Sequence, residues 1–595
     1  MEKEKLTNSE AFFKAPKISD DGKKIILPKS DVEGYELQLY ASSNEQIIDL
    51  EGNIHTPLED MNVTVMYKLV GKDDTVNAKN EVEITIKGLY TDENGDNPRP
   101  DVLPAIREWK GFKGEFKVAD NCRIVIENEA LREKAEMLSY YCEKMLGLNI
   151  CVVTGKAQKG DFYIALDGDT CLQDEGYFIE IKDIVKISAC NPKAILYAAA
   201  TLVQILSQTA DKRSLPSGLI RDYPAYAVRS CMFDCGRFYM PLDYLEEIGR
   251  YMAYYKFNQL HVHLNDNRGE QECCFRLESK KYPELNSGNK NGEVYYQDEY
   301  REFQKKLLKY GITVVSEIDT PAHCEFIKLH NPDFMIEGIP GEPADLDIYN
   351  PEAVNFVKSL WDEFTEGDDP VFIKESRLHI GGDEYLTYYK DMTLFEKHRG
   401  NVPHYLHTIS DNLLKKGYEL SMWGHYGSDI YDYHNFEELS RKIRGYNSCR
   451  SPWEQIEHGF SYINVHHGLL YIVPGTPPRI YGDNKSIEEI YSLFEVNVYG
   501  EPCELKYDVP AALPNLHGAK ACFWYDYNLN WAPFFVFLHF HKEIMVICEK
   551  TWQGVKPKHT SLEDFLNRVE KLGIDAPDAK PYKHDNMLPK KFNWK

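Results

Sequence analysis

Eight apolar runs of strand length alternate with helix-patterned stretches from Ala227 onward, and this alternation constrains the fold more than any other feature of the chain. The runs fall at 228–237, 259–266, 313–319, 377–384, 419–425, 442–447, 462–468 and 516–526. Strands separated by helices are joined by crossovers, so neighbours run parallel, and eight such units close into a (β/α)8 TIM barrel. His261, Asp266, Asp319, His323, Asp383, Glu384, Trp423 and Trp524 fall at or near the ends of these runs. That is the rim on which barrel enzymes build their sites, and packing alone does not account for so many polar and aromatic residues there. Long connections at 267–312, 320–376 and 472–515 are expected to wall a pocket above the rim.

A chain of 595 residues exceeds one ordinary core, so further domains are expected before the barrel. In residues 1–104, Val63, Val65 and Tyr67 alternate, as do Val82, Ile84 and Ile86, and Asn94-Gly95-Asp96-Asn97 is a turn signal. This pattern predicts an N-terminal β-sandwich. Residues 105–222 predict an α+β domain, with strands at 123–126, 150–153, 162–165, 177–181 and 185–188 and helices at 130–145 and 192–208. The second of these helices is apolar nearly all round, so it is expected to be buried against a neighbouring domain. The catalytic barrel then takes residues 223–595, including a C-terminal helical tail.

Composition narrows the partners. A net charge of −25 argues against nucleic acid and anionic membranes, both of which select clustered Lys and Arg. The 14 cysteines are sparse for this length and form no evenly spaced pairs, so reduced thiols are expected in place of a disulfide framework. The first residues, Met1-Glu2-Lys3-Glu4-Lys5, lack the apolar core of a signal peptide, and no run is long enough for a membrane helix. As written, the protein is expected in the cytoplasm, or secreted or at the cell surface if an export signal has been removed.

The stretch His379-Ile380-Gly381-Gly382-Asp383-Glu384 is the leading candidate for the chemistry. A strand ending in two glycines allows a sharp turn that presents both acids at the rim; the plainer reading is a solvated surface turn. A glycosidase needs one carboxyl group to protonate a leaving oxygen and a second group to meet the positive charge at the sugar carbon. Adjacent strand residues point to opposite faces, so Asp383 and Glu384 are not expected to flank one carbon. One is expected to act on the leaving group and the other on a substrate side group. Asp319 and His323 form a second cluster with Asp266 in reach, as catalytic support or as structural charge balance. His261-Val262-His263, with His323, His379 and Asp383, raises a metal-dependent hydrolase, ranked lower because several ligands would have to point inward together. Trp423, Tyr471 and Trp524 can stack on a sugar ring and Arg237 can grip adjacent hydroxyls, although such residues serve as readily in cores and structural ion pairs.

Four segments in order carry a family resemblance. They are Met232-Phe233-Asp234-Cys235-Gly236-Arg237-Phe238-Tyr239-Met240-Pro241, His261-Val262-His263-Leu264-Asn265-Asp266, Glu317-Ile318-Asp319-Thr320-Pro321-Ala322-His323 and the His379–Glu384 stretch. Together they resemble family 20 glycoside hydrolases, the β-N-acetylhexosaminidases and lacto-N-biosidases, across the barrel and more weakly across the domain before it. The resemblance implies substrate-assisted retaining hydrolysis with no metal or organic cofactor, in which the substrate's 2-acetamido oxygen attacks its own anomeric carbon. Asp383 would orient the acetamido group and stabilise an oxazolinium-like intermediate, and Glu384 would protonate the leaving oxygen and later activate water. By motif position Asp266, Asp319 and His323 would support Glu384, Arg237 would hold the 3- and 4-hydroxyls, and His379, Trp423, Tyr471, Trp524 and Asp526 would bind the sugar.

The implied activity is exo-acting removal of terminal β-linked GlcNAc or GalNAc from a glycan or glycoconjugate. Three departures bear on recognition at O4 and O6. Asn267-Arg268-Gly269-Glu270 stands for Asp-Gln-Gly-Trp-Arg, Trp524-Tyr525-Asp526 stands for Trp-Thr-Glu, and Tyr471-Ile472-Val473 lacks a following Asp. A lacto-N-biosidase or a 6-sulfo-GlcNAc hexosaminidase is therefore the alternative within the family. Outside it stand a metal-dependent barrel hydrolase and a noncatalytic glycan-binding protein.

Overall fold

The computed structural model describes residues 6–580 apart from 73, 91–95, 268–272, 290–291, 337–343, 387–400, 425–438, 448–451, 475–484, 501–505, 527–532, 556 and 573–575. The barrel strands are β1 Val228–Asp234, β2 Gln259–His263, β3 Thr313–Thr320, β4 Arg377–Gly381, β5 Glu419–Trp423, β6 Arg444–Asn447, β7 Ser461–Asn464 and β8 Leu516–Phe523. Each pairs in parallel with the next, and β1 pairs with β8 to close the ring. Helices Leu242–Tyr254, Gln297–Lys309, Pro351–Thr365 and Val402–Lys415 follow β1 to β4, and Pro533–Gln553 follows β8. The start of Pro351–Thr365 is written locally: Asn350 accepts the backbone N–H of Glu352 at 3.0 Å, and Pro351 supplies a first helical residue that needs no donor.

The eight strands fall where the apolar runs predict, but several stop early. β2 ends at His263 rather than 266, β4 at Gly381 rather than 384, and β8 at Phe523 rather than 526. After β2 the chain enters a short antiparallel hairpin, Asn265–Asn267 with Cys273–Phe275, whose second residue is Asp266. After β4, Gly381 and Gly382 take φ of +71° and +103°, which breaks the extended ladder. The polar residues therefore stand just beyond the last ladder bond, on turns rather than on pleated strand.

Ahead of the barrel, Glu36–Ser42, Met61–Val70, Thr75–Asn77 and Val82–Ile86 form a four-stranded antiparallel sheet. Val63, Val65 and Tyr67 bury one face in a core of their own, joined by Ile25 from a two-stranded ribbon. Residues 94 and 95 of the expected turn lie outside the described residues. A seven-stranded mixed sheet follows, containing strands at all five predicted positions and two unpredicted ones, Glu108–Lys117 and Ser214–Asp222. Helix Pro192–Ser207 is buried continuously from Ala194 to Leu206. It meets the barrel through Tyr197, edge-on to Trp552 at 5.5 Å, and through Gln204, which donates to the carbonyls of Leu103 and Tyr254. No helix among the described residues is long and apolar enough to cross a membrane.

One buried carboxylate ties this sheet to the barrel. Asp222, fully buried, accepts the Arg107 backbone N–H at 3.0 Å, Tyr177 Oη at 2.5 Å, Lys256 Nζ at 2.9 Å and Trp552 Nε1 at 2.8 Å. Lys256 lies at the end of the first barrel helix and Trp552 in the last, so four separate segments converge on one side chain. Burial and the loss of water push the Lys256 ammonium below its usual range, against the pull of Asp222. Removing one partner strands the other charge. Asp222→Ala is expected to cost about 3–5 kcal/mol, read from the midpoint of urea unfolding, whereas exposed Asp20→Ala should leave the midpoint unchanged.

Candidate active site

The C-terminal mouth of the barrel is organised around Glu317, a fully buried carboxylate on β3. His263 Nδ1 lies 2.5 Å and His261 Nε2 3.0 Å from its Oε2; His379 Nδ1 lies 2.8 Å from Oε1, and the Trp423 indole N–H donates to Oε1 at 2.6 Å. These groups come from β2, β4 and β5, and the ladder places His263, Glu317 and His379 side by side. Lys520 on β8, also fully buried, donates to His261 Nδ1 at 2.9 Å and to Tyr446 Oη at 2.7 Å. Burial pushes its ammonium down to about 7. Burial and the adjacent Lys520 also hold the His261 imidazole well below its usual range, so it is a neutral ring.

From this hub a line of close polar contacts runs outward. His263 Nε2 lies 2.9 Å from Asp266 Oδ2, Asp266 Oδ1 lies 3.0 Å from His323 Nδ1, and His323 Nε2 lies 3.3 Å from Glu384 Oε2 and 3.8 Å from Asp383 Oδ2. Burial works against protonating His263 and His323, but the facing carboxylates outweigh it and raise both imidazoles well above their usual range. Both nitrogens of His263 face carboxylates, so neither offers a lone pair. Atoms of His261, Glu317 and His379, and of Asp319, His323 and Asp383, do converge within 4.8 Å. In the second group the protonated His323 is a donor, not the neutral imidazole a metal needs; in the first, His261 Nδ1 accepts from Lys520, so its neutral ring carries the proton on the Nε2 that faces Glu317.

The acid turn is set by close packing. A Cβ on Gly381 would overlap the Asp319 carboxylate, so only glycine fits, and the Gly382 N–H donates to Asp319 Oδ1 at 3.2 Å. Asn265 holds the opposing loop by accepting the Asp319 N–H at 2.9 Å and donating to the carbonyls of Asp319 and His323, each at 3.0 Å. His323 and Glu384 both adopt left-handed backbone, at φ +54° and +49°. The expectation that strand alternation turns Asp383 and Glu384 to opposite faces is corrected here. The strand has already ended, the turn aims both acids, and both approach the same imidazole. Burial, reinforced by Asp383, raises the Asp319 carboxyl well above its usual range, so it is neutral.

The remaining candidates divide by depth. Arg237 Nη1 lies 2.9 Å from Asp234 and 2.7 Å from Asp266, and Nη2 lies 3.4 Å from Asp526. Tyr471 and Trp524 are half-buried at the mouth with ring centres 5.9 Å apart, and Trp524 lies 5.5 Å from Trp423. Trp423 and His379 lie deeper, 1% and 0% exposed and committed to Glu317, whereas the Asp526 side chain is 39% exposed. Arg268, Gly269 and Glu270 lie outside the described residues. Lys520 and Asp345 carry no signal in the sequence, and Asn265 and Glu317 appear there only as parts of motifs. Asp345 is 6% exposed, accepts the Leu386 N–H at 2.7 Å, and has its carboxyl pushed up to about 7 by burial. The signal for Glu317 was its place two residues before Asp319, on the same strand face. A separate cleft of 1690 Å³, lined in part by Glu175, Lys193, Arg377 and His517, opens at the opposite end, where the strands begin.

The model for the glycosyl hydrolase family 20 catalytic domain matches residues 226–554, and that for family 20 domain 2 matches 99–223. A lacto-N-biosidase from Bifidobacterium bifidum is 25% identical over 80% of this chain and 42% of its own length. A β-hexosaminidase from Porphyromonas gingivalis is 23% identical over 79% of this chain and 62% of its own. The chain thus spans less than two thirds of the length of these relatives. In fold it is similar to the family 20 exo-β-N-acetylglucosaminidase of Vibrio harveyi, with a TM-score of 0.64 at 19% identity, covering 87% of this chain and 85% of that one.

Because His263 and His323 are raised, their charged forms stabilise the fold fully below about pH 6.5 and lose that contribution only as pH rises through the folded values. Asp266→Asn removes the carboxylate that faces both rings. Histidine NMR titration should then show His323 deprotonating lower by about one unit or more; an unchanged titration would contradict the network. With the catalytic-domain match alone spanning more than half the chain, the protein belongs to glycosyl hydrolase family 20.

Proposed function

We propose that this protein is an exo-acting β-N-acetylhexosaminidase that removes terminal β-linked GlcNAc or GalNAc by substrate-assisted retaining hydrolysis. The observation that carries the reading is the pair of adjacent acids on the β4 turn, both drawn to His323, which is itself charge-balanced by Asp266. Adjacent carboxylates on one short turn are poorly placed to work as nucleophile and acid on opposite sides of a sugar carbon, so the nucleophile is assigned to the substrate's own acetamido oxygen. Glu384, oriented by His323, protonates the leaving oxygen and then activates water. Asp383 orients the acetamido N–H and faces the positive charge of the oxazolinium-like intermediate. Neutral Asp319 beside it avoids a second negative charge at the same place.

Arg237, with its planar donors fixed by Asp234 and Asp266, binds the outer hydroxyls together with Asp526. Trp524 and Tyr471 form the walls, and Trp423 the floor, against the ring and its acetamido group. His379 acts from beneath, by holding Glu317 and Trp423 in place. A second reading, release of lacto-N-biose, is favoured by the relative of that name matching over 80% of this chain. The shorter Asp526, where family members carry Glu, leaves room for a larger or 6-sulfated sugar.

A panel of aryl β-glycosides separates these readings: GlcNAc, GalNAc, 6-sulfo-GlcNAc, lacto-N-biose and plain glucose. Turnover of the N-acetylated sugars and inhibition by a thiazoline analogue of the oxazoline are expected. Glu384→Gln should lower kcat on a phenyl N-acetylglucosaminide by on the order of 10²–10⁴-fold. Rapid cleavage of the glucoside, which has no acetamido group, would overturn the substrate-assisted scheme.

A further inference from the structure

The turn that carries Glu384 is held from outside the barrel by a segment that no part of the mechanism above uses. Residues Asp345–Leu346 pair antiparallel with Met335–Ile336 in a short ladder within the connection that follows β3. Among the described residues, three hydrogen bonds link these two residues to the turns of the site. The Leu386 N–H donates to Asp345 Oδ2 at 2.7 Å, and the Tyr385 hydroxyl donates to the Leu346 carbonyl at 2.9 Å. The Leu346 N–H donates to the Pro321 carbonyl at 2.8 Å. The first two grip the residues directly after Glu384; the third grips the loop that carries His323 two residues later. One dipeptide thus joins the two turns whose side chains meet at the 3.3 Å contact between His323 and Glu384.

The grip answers a physical need. Glu384 and Leu386 both hold left-handed backbone, at φ +49° and +59°, with neither being glycine. Each such residue costs roughly 1–3 kcal/mol and persists only where its surroundings impose it. Tyr385 and Leu386 are each 2% exposed and Asp345 6%, so the hydrogen bonds that impose the turn are shielded from competing water. Strand β4 cannot impose it, since its ladder ends at Gly381.

We infer that Asp345 is a positioning residue for Glu384: its buried carboxyl group, by fixing the Leu386 N–H, holds the acid turn in register with the His323 loop. The inference rests on the reading of Glu384 as the general acid. It predicts a selective defect in kcat/KM, which reports bond cleavage and not the later attack of water, because in that step a misplaced acid matters only where the leaving group needs a proton. Two aryl N-acetylglucosaminides, one releasing dinitrophenol and one releasing unsubstituted phenol, make that distinction in the full chain, with Glu384→Gln as the reference. Asp345→Ala should lose about tenfold or more in kcat/KM on the phenyl substrate, against the 10²–10⁴ that a general acid supplies, and little in kcat/KM on the dinitrophenyl substrate. KM on the phenyl substrate, where cleavage limits the rate, should stay close to that of the parent protein. Asp345→Asn, whose amide oxygen can accept the same N–H, should recover most of the loss. Tyr385→Phe, which removes the companion bond to Leu346, should show the same selectivity more weakly and serves if Asp345→Ala does not fold.

If Glu384→Gln shows the leaving-group split while Asp345→Ala and Tyr385→Phe lose both substrates equally or neither, the positioning role of Asp345 is overturned. If Glu384→Gln shows no split, the assignment of Glu384 as acid fails and the inference falls with it.

Discussion

A carboxylate at the centre of a barrel is an expensive thing to bury, roughly several kcal/mol for the lost hydration alone, and Glu317 is tolerated only because four neighbours point at it. Those neighbours lie on β2, β4 and β5, so the charge can be satisfied in only one alignment of the strands. A slip of one residue would turn every inward side chain outward and leave the carboxylate bare. The register that satisfies Glu317 also aims His263 at Asp266, Asp266 at His323, and His323 at the acid turn. The electrostatics of the interior and the geometry of the mouth are thus one constraint.

The same network divides protons among closely spaced acids. Asp266 and Glu317 are held as carboxylates by imidazolium and guanidinium partners, with burial opposing in each case. Asp319 has no such partner on its Oδ2, faces Asp383, and takes a proton instead. Environments that push neighbouring carboxyls apart in this way are how one site comes to hold a charged group beside a neutral one. The division also explains why Gly381 cannot be replaced: Asp319 occupies the space where any side chain would go.

Much of this was legible in the sequence, for definite reasons. The barrel strands are largely buried on both faces, so they appear as apolar runs, and the helix at 192–207 is apolar all round because it lies between the seven-stranded sheet and helices of the barrel. Glu108–Lys117 escaped notice because its residues Glu-Trp-Lys-Gly-Phe-Lys do not alternate, and Glu108 and Lys110 are buried through pairing rather than through apolarity. At the site, Asp383, Glu384, Asp266, Asp319 and His323 were visible as motif residues at strand ends, and the structure brings them together. Lys520 and Asp345 were not, because a lone Lys in an apolar strand and a lone Asp in a long connection carry no local pattern. Their positions follow only from closure of the barrel and from the return of the β3 connection across its mouth. The shared aim of Asp383 and Glu384 is hidden for a similar reason, since strand alternation does not govern residues that two glycines have released from the strand.

The central claim is that the substrate supplies the nucleophile while the β4 turn supplies the acid and the countercharge. Successive fluorination of the N-acetyl methyl group tests it most directly, since fluorine withdraws electrons from the acetamido oxygen while changing its size little. If that oxygen attacks the anomeric carbon, kcat/KM on a series of aryl N-acetylglucosaminides should fall steeply with each added fluorine. A flat series, with the fluorinated substrates bound and cleaved as fast as the parent, would show that the oxygen takes no part in bond formation and would contradict the account.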